Sequence, residues 1–146
     1  KEFFGSQAGS WDTRILATDI SQQILNTAQN PVYQADSLSR LPETWKRKYF
    51  TKNSSGTYNL VPAIRQNVIF RTFNLMDPIK FRRPFDLIFC RNVMIYFDQP
   101  TKDALVNRFY NVTVPGGYLF IGHSEGLNKN NCPYKYITPA IYQKKG

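Results

Sequence analysis

The stretch Phe85-Asp-Leu-Ile-Phe-Cys-Arg-Asn-Val-Met-Ile-Tyr-Phe97, followed by Asp98-Gln-Pro-Thr101, decides how the rest of this chain is read. Asp86 to Cys90 is a short, nearly all-apolar run with Pro84 before it and Arg91-Asn92 after it. Such a run predicts a strand buried on both faces, as in a parallel sheet. Polar groups gather where it stops. In open α/β sheets the ligand crevice lies outside the carboxyl ends of the strands, so Arg91, Asn92 and Tyr96 stand where chemistry is expected.

The flanks carry the same grammar. Arg14-Ile-Leu-Ala-Thr-Asp19 reads as a second compact strand ending in an acid, and Ser21 as the N-cap of a helix with Ile24, Leu25 and Ala28 on one face, stopped by Asn30-Pro31. Val68 to Leu75 is a third strand, alternating enough to lie nearer an edge, with Met76-Asp77-Pro78 as its loop. After the central stretch, Asp98 or Gln99 caps a helix with Pro100 in its first turn and Ala104, Leu105, Phe109 and Val112 as its buried stripe. Val114-Pro115-Gly116-Gly117 predicts a tight turn before the strand Tyr118 to Gly122, and Tyr134 to Lys144 a final strand or hairpin half containing Pro139. At the other end, Glu2-Phe3-Phe4-Gly5 resembles a last helical turn closed by glycine.

One segment breaks the period. Pro42 opens a short helix with Leu41, Trp45 and Tyr49 along one side, and Asn53-Ser54-Ser55-Gly56 is a turn signal between Tyr49-Phe50-Thr51 and Tyr58-Asn59-Leu60-Val61. The expectation is a small antiparallel β insert at about residues 45–67, inside one domain covering residues 1–146.

Composition narrows the class. With 146 residues, 42% hydrophobic and 15% aromatic, the chain is a folded globular domain, and no apolar run approaches the ~20 residues of a membrane span. No membrane insertion and no secretory signal are expected, which points to the cytoplasm. Cys90 and Cys132 have neither metal-site nor disulfide spacing, so no metal is expected. The net charge of +9, partly from Lys46-Arg47-Lys48, Arg82-Arg83 and Lys144-Lys145, draws in an acidic partner, either nucleic acid or an acidic protein surface. His123-Ser124-Glu125 invites a triad reading, but consecutive side chains diverge and no nucleophile elbow surrounds Ser124.

Strand ending in Asp, helix, strand ending in Asn-Leu, strand ending in Arg-Asn, helix, Pro-Gly-Gly, strand: this order resembles the S-adenosylmethionine-dependent methyltransferases. More narrowly, Ala17-Thr18-Asp19-Ile20, Asn74-Leu75-Met76, the run Phe85 to Phe97 and Gly122-His123-Ser124-Glu125 resemble the chemotaxis receptor methyltransferases, the CheR family, which methylate glutamates on bacterial chemoreceptors. The resemblance implies a Rossmann-like α/β sheet with a small antiparallel β insert. It also implies S-adenosylmethionine as cofactor, S-adenosylhomocysteine as product, and the acidic cytoplasmic helices of methyl-accepting chemoreceptors as partners. Family members begin with a helical domain and a first strand followed by a Gly-Glu-Glu-Pro-Tyr loop. Neither is in this sequence, so a partial sheet lacking its first strand is expected, as two half-sheets with open inner edges. Strand-swapped self-association is one outcome of such edges.

By the same resemblance Asp19, with Ile20 beside it, takes the ribose hydroxyls of the cofactor, Asn74 and Leu75 hold the adenine, and Asn92 lines the cofactor. Arg91 orients a carboxylate or touches the cofactor, and the Tyr96 hydroxyl reaches the methyl acceptor. A glutamate acceptor is already ionised at neutral pH, so no strong general base is required, and positioning carries the reaction. Two other classes compete. A nucleic-acid enzyme or binder is suggested by the charge, yet amino-methylating DNA enzymes carry Asn-Pro-Pro-Tyr or Asp-Pro-Pro-Tyr where this chain has Arg91-Asn92-Val93-Met94, so no nucleic acid is expected. The third is a non-catalytic fragment serving as a receptor- or nucleic-acid-binding module, for whose receptor-tail docking the insert offers only Gly56.

Overall fold

The structure is a computed structural model and describes residues 3–128 and 130–146. Two compact units divide the chain, one ending at Asn74 and one running from Leu75 to Gly146.

In chain order the first unit contains β1 (Ile15–Asp19), α1 (Gln22–Gln29), β2 (Val32–Tyr33), α2 (Glu43–Tyr49), β3 (Phe50–Lys52), β4 (Tyr58–Leu60), α3 (Pro62–Arg65) and β5 (Val68–Thr72). β1 and β5 pair in parallel with Asp19 opposite Thr72. α1 starts where expected, because the Ser21 hydroxyl accepts the Ile24 N–H at 3.3 Å and so satisfies one of the orphan donors of a first turn. Its covered stripe is narrower than the sequence suggests. Leu25 is buried and Ala28 half-buried, but Ile24 is exposed.

The insert is a three-stranded antiparallel sheet in the order β2-β4-β3. Its turn closes with the Asn53 N–H donating to the Thr57 carbonyl at 2.7 Å, and Gly56 takes the φ of +81° that such a turn asks of glycine. β2 went unforeseen because two residues cannot display a period. Two expectations in this unit need correcting. Pro42 is the N-cap of α2 rather than a residue of its first turn, and no residue of α2 is fully buried; Trp45 is exposed and meets the half-buried Tyr49 edge-on at 6.5 Å. Gly5 has the positive φ of a helix-closing glycine, yet Phe3-Phe4 is a turn and Gly5–Ser10 is itself a 3-10 helix, so Gly5 opens a helix. Glu2, part of that expectation, lies outside the described residues.

The second unit contains β6 (Phe85–Cys90), α4 (Gln99–Asn111), β7 (Thr113–Ile121), β8 (Lys135–Thr138) and β9 (Ile141–Gln143). Its sheet has the order β6-β7-β9-β8, parallel between β6 and β7 and antiparallel beyond. Cys90, Met94, Leu105, Val106, Phe109, Leu119, Ile121, Tyr134 and Tyr142 form one buried core. α4 is capped by Asp98, whose Oδ1 accepts the Thr101 N–H at 3.0 Å. Its buried stripe is Leu105, Val106 and Phe109, neighbours at helical spacing, while Ala104 is exposed and Val112 lies just past the last turn.

β6 departs from a strand buried on both faces. Ile88 and Cys90 turn inward, whereas Leu87 is 41% and Phe89 64% exposed. Among the described residues β6 pairs only with β7, and β1 only with β5, so β6 and β1 each keep one open edge. Pro115-Gly116-Gly117 does not precede a strand but lies inside β7 as an irregularity: Phe85 stands opposite Thr113, yet Leu87 stands opposite Tyr118. The surplus backbone bulges at Gly116, whose φ is +78°. The tail is a hairpin, β8 and β9, turning at Pro139-Ala140.

Candidate functional site

Asp19 ends β1 half-buried, and its Oδ1 accepts the Ser21 N–H at 2.8 Å. The carboxylate therefore does cap the entry to α1, but with one oxygen; among the described residues Oδ2 has no hydrogen-bond partner. Ile20 is exposed beside it, and Asn74 lies half-buried past the end of β5. These three candidates belong to the first unit.

The other four belong to the second. Leu75 packs against the buried core, and its carbonyl accepts from Arg108 Nη2 at 2.8 Å. Arg91 and Asn92 leave the carboxyl end of β6 exposed to solvent, and Arg91 forms no ion pair among the described residues. Asn92 has φ +60°, a left-handed conformation in which Asn is one of the more tolerant side chains. Met94–Tyr96 then forms a single 3-10 turn that buries Met94 and leaves Tyr96 81% exposed, so packing does not account for the tyrosine.

A residue to which the sequence reading gave no role holds this segment. Glu125 accepts the backbone N–H groups of Asn92 at 3.1 Å, Val93 at 3.0 Å and Met94 at 2.7 Å, and also that of Gly122. The only local signal was an acid in the loop just beyond the glycine that follows β7. The same contacts dispose of a triad, since the carboxylate is spent on amides while His123 and Ser124 point to solvent. Cys90 is no nucleophile at neutral pH. Burial, with the nearby Glu125 charge adding to it, pushes its thiol up to about 12. Among the described residues no group of His, Cys, Asp and Glu gathers to hold a metal ion.

A small pocket of about 120 Å³ opens beside Arg91 and His123 at the end of β7. A wider groove of about 620 Å³ runs along β5 beside Arg65 and contains none of the candidate residues. Its lining offers no carboxylate and none of the candidate residues, so the strand ends, not this groove, are the better candidate.

The chain matches the family described as CheR methyltransferase, SAM binding domain, over residues 3–142. It is 40% identical over 145 residues to a chemotaxis protein methyltransferase of Borreliella burgdorferi, covering 99% of this chain and 51% of that one. It is 41% identical over 132 residues to chemotaxis protein methyltransferase 1 of Pseudomonas aeruginosa, covering 88% and 48%. With the chemotaxis protein methyltransferase of Escherichia coli the identity is 36% over 143 residues, 94% and 49% of the two chains. The chain thus spans about half the length of these curated relatives. Among solved structures, PKMT2 from Rickettsia typhi in complex with AdoHcy aligns with TM-score 0.47 and 17% identity over 75% of this chain and 17% of that one. Rossmann-like α/β pairing, polar strand ends and a family match running almost from end to end lead to one statement: the chain belongs to the SAM-binding domain family of the CheR methyltransferases.

Proposed function

We propose that this chain carries the cofactor and methyl-transfer residues of a protein-glutamate O-methyltransferase acting on the cytoplasmic helices of chemoreceptors. The observation that carries the reading is the 36–41% identity, over nearly the whole chain, to proteins named chemotaxis protein methyltransferase. Residues 1–146 are read as part of one such domain in the cytoplasm.

The donor sets fit S-adenosylmethionine. Asp19 keeps one carboxylate oxygen unspent for ribose hydroxyls, Ile20 flanks it with exposed apolar surface, and Leu75 offers apolar contact beside Asn74 for an adenine ring. When bound, the cofactor supplies an electrophilic methyl on a sulfonium. The chain's own task is then to place an ionised carboxylate in line with it and keep water out. Arg91, exposed and without an ion pair among the described residues, is suited to take one carboxylate oxygen by a charge-assisted bond, and the exposed Tyr96 hydroxyl to steady the acceptor. Asn92, between them in sequence, would contact the cofactor. The charge of +9 favours an acidic receptor helix as partner.

The test is calorimetric titration of the chain with S-adenosylhomocysteine beside its Asp19→Ala variant. A charge-assisted bond contributes roughly 1.5–3 kcal/mol, so the variant should lose about one to two decades of affinity. Labelled methyl transfer to a receptor fragment, abolished in Arg91→Ala, tests the acceptor. Equal affinity of the two chains would remove Asp19 from the site, and absence of binding by both would remove the cofactor assignment.

A further inference from the structure

We infer that Glu125 is a positioning residue: its carboxylate holds the backbone of Asn92-Val93-Met94, and through it the presentation of Arg91, Asn92 and Tyr96. The inference rests on the function proposed for those three residues, but the grip itself is a property of the second unit alone.

An ionised carboxylate accepts and never donates, and its two oxygens offer about four lone-pair positions. Here all four are taken by backbone N–H groups. Oε1 receives Val93 at 3.0 Å and Met94 at 2.7 Å; Oε2 receives Asn92 at 3.1 Å and Gly122. Three successive amides converging on one point form a nest of the kind that elsewhere binds a free anion. In this chain a side chain fills it. The segment needs the grip, because Asn92 sits at φ +60°, a conformation that persists for a non-glycine residue only where its surroundings over-determine it.

Gly122 closes the arrangement from the β7 side. A Cβ there would lie 2.7 Å from both Glu125 Oε2 and Asn92 Oδ1 and 3.2 Å from the Asn92 nitrogen, so glycine is what lets the two strand ends meet at one carboxylate. Glu125 is not itself a member of the buried core, although Met94, whose N–H it accepts, is. What it fixes is the exit of β6, bounded on one side by Arg91 and on the other by the turn that displays Tyr96. Misplacing a reacting group by about 1 Å costs on the order of a hundredfold, so such a clamp governs the site more than the fold.

Glu125→Gln preserves size but replaces one acceptor oxygen by an NH₂ that faces two N–H donors. Glu125→Asp keeps the charge on a shorter arm. For each chain, amide hydrogen exchange, the urea midpoint and S-adenosylhomocysteine affinity are measured. The expected result for Glu125→Gln is at least tenfold faster exchange at Asn92, Val93, Met94 and Gly122, unchanged exchange at Leu119 within β7, and at least tenfold weaker binding. Glu125→Asp should fall between the two, and it replaces Glu125→Gln under the same criteria if the latter does not fold. Retained protection at the four amides would overturn the inference. So would loosened amides with binding unchanged within twofold, since the clamp would then be purely structural. Should the wild-type chain bind no S-adenosylhomocysteine, the cofactor reading fails by itself, and the exchange pattern alone decides whether Glu125 holds the segment.

Discussion

Gly116 and Gly117 are neighbours in sequence that differ in why they are glycine, and adding side chains to each in turn separates the two causes. A Cβ on Gly117 would lie 2.7 Å from Thr113 Cγ2, 2.9 Å from the Asp86 carbonyl oxygen and 3.0 Å from Val114 Cγ2. Carbon atoms prefer about 3.5–4.0 Å, so the overlap reaches most of an ångström. One of the obstacles is β6 backbone, which cannot rotate away. Overpacking of this kind costs about 1–3 kcal/mol, a fall in Tm of about 3–10 °C for a chain of this length. Gly116 is the opposite case: a Cβ there meets nothing within 4 Å, but φ is +78°. Alanine then suffers only the left-handed penalty of about 1–2 kcal/mol. Asparagine, which enters that region more readily, should recover part of the loss at 116, whereas at 117 it should be worse than alanine. Thermal and urea unfolding of Gly116→Ala, Gly116→Asn, Gly117→Ala and Gly117→Asn checks the crossing order. A Gly117→Ala chain within about 1 °C of wild type, when overpacking predicts several degrees, or Gly116→Asn less stable than Gly116→Ala, would refute the account of the β6–β7 contact.

Thr113, 2% exposed, shares its hydroxyl between the Phe109 carbonyl and the Tyr134 hydroxyl, each at 2.7 Å. Thr113→Val should cost about 1–3 kcal/mol by stranding the buried Tyr134 hydroxyl, while the Phe109 carbonyl keeps the Val112 N–H at 3.1 Å; Tyr134→Phe should cost less in the Thr113→Val background than in wild type, and strict additivity in a urea double-mutant cycle would count against the bond. The cap of α4 is pH-dependent: hydrogen bonds from Thr101, its side chain first and its backbone N–H second, hold the Asp98 carboxyl below its ordinary range. A folded value below the unfolded one means that the stabilisation is present above about pH 4 and fades as pH falls through the folded value. The urea-midpoint gap between wild type and Asp98→Ala should therefore shrink as pH falls from about 5 to 2, and a gap that stays constant would exclude the cap as its source.

What could be read from the chain was what neighbouring residues settle among themselves. Ser21 and Asp98 cap α1 and α4 because a cap is a contact three residues long, and Asn53 to Gly56 turns the insert because its turn chemistry is local. Asp19, Arg91 and Asn92 were legible as polar residues at or just past strand ends for the same reason, whereas the roles expected of them, and of Asn74 and Leu75, came from the family resemblance and not from the strands themselves. Glu125's hold was not legible, because three of its four amide partners lie 31 to 33 residues earlier. The exposure of Leu87 and Phe89 was equally hidden: an apolar run says that a strand wants two covered faces, not that both are covered. Pro115-Gly116-Gly117 was seen as a break in direction, but whether such a break ends a strand or bulges it depends on the partner strand.

The excursion between α1 and β5 is tied at its base. Arg65 Nη2 donates to the Gln29 carbonyl at 2.9 Å and to Asn30 Oδ1 at 3.2 Å, so the chain re-enters the β1–β5 layer at the point where it left. Everything from β2 to β4 is thereby a closed loop. The entropy of closing such a loop grows only with the logarithm of its length, about 0.6 kcal/mol for each doubling. Residues gained or lost at the exposed Ser54-Ser55-Gly56 tip change that cost by a small fraction and leave the Asp19 register with Thr72 untouched. The insert is therefore free to vary in size and surface while the strand that presents Asp19 stays fixed.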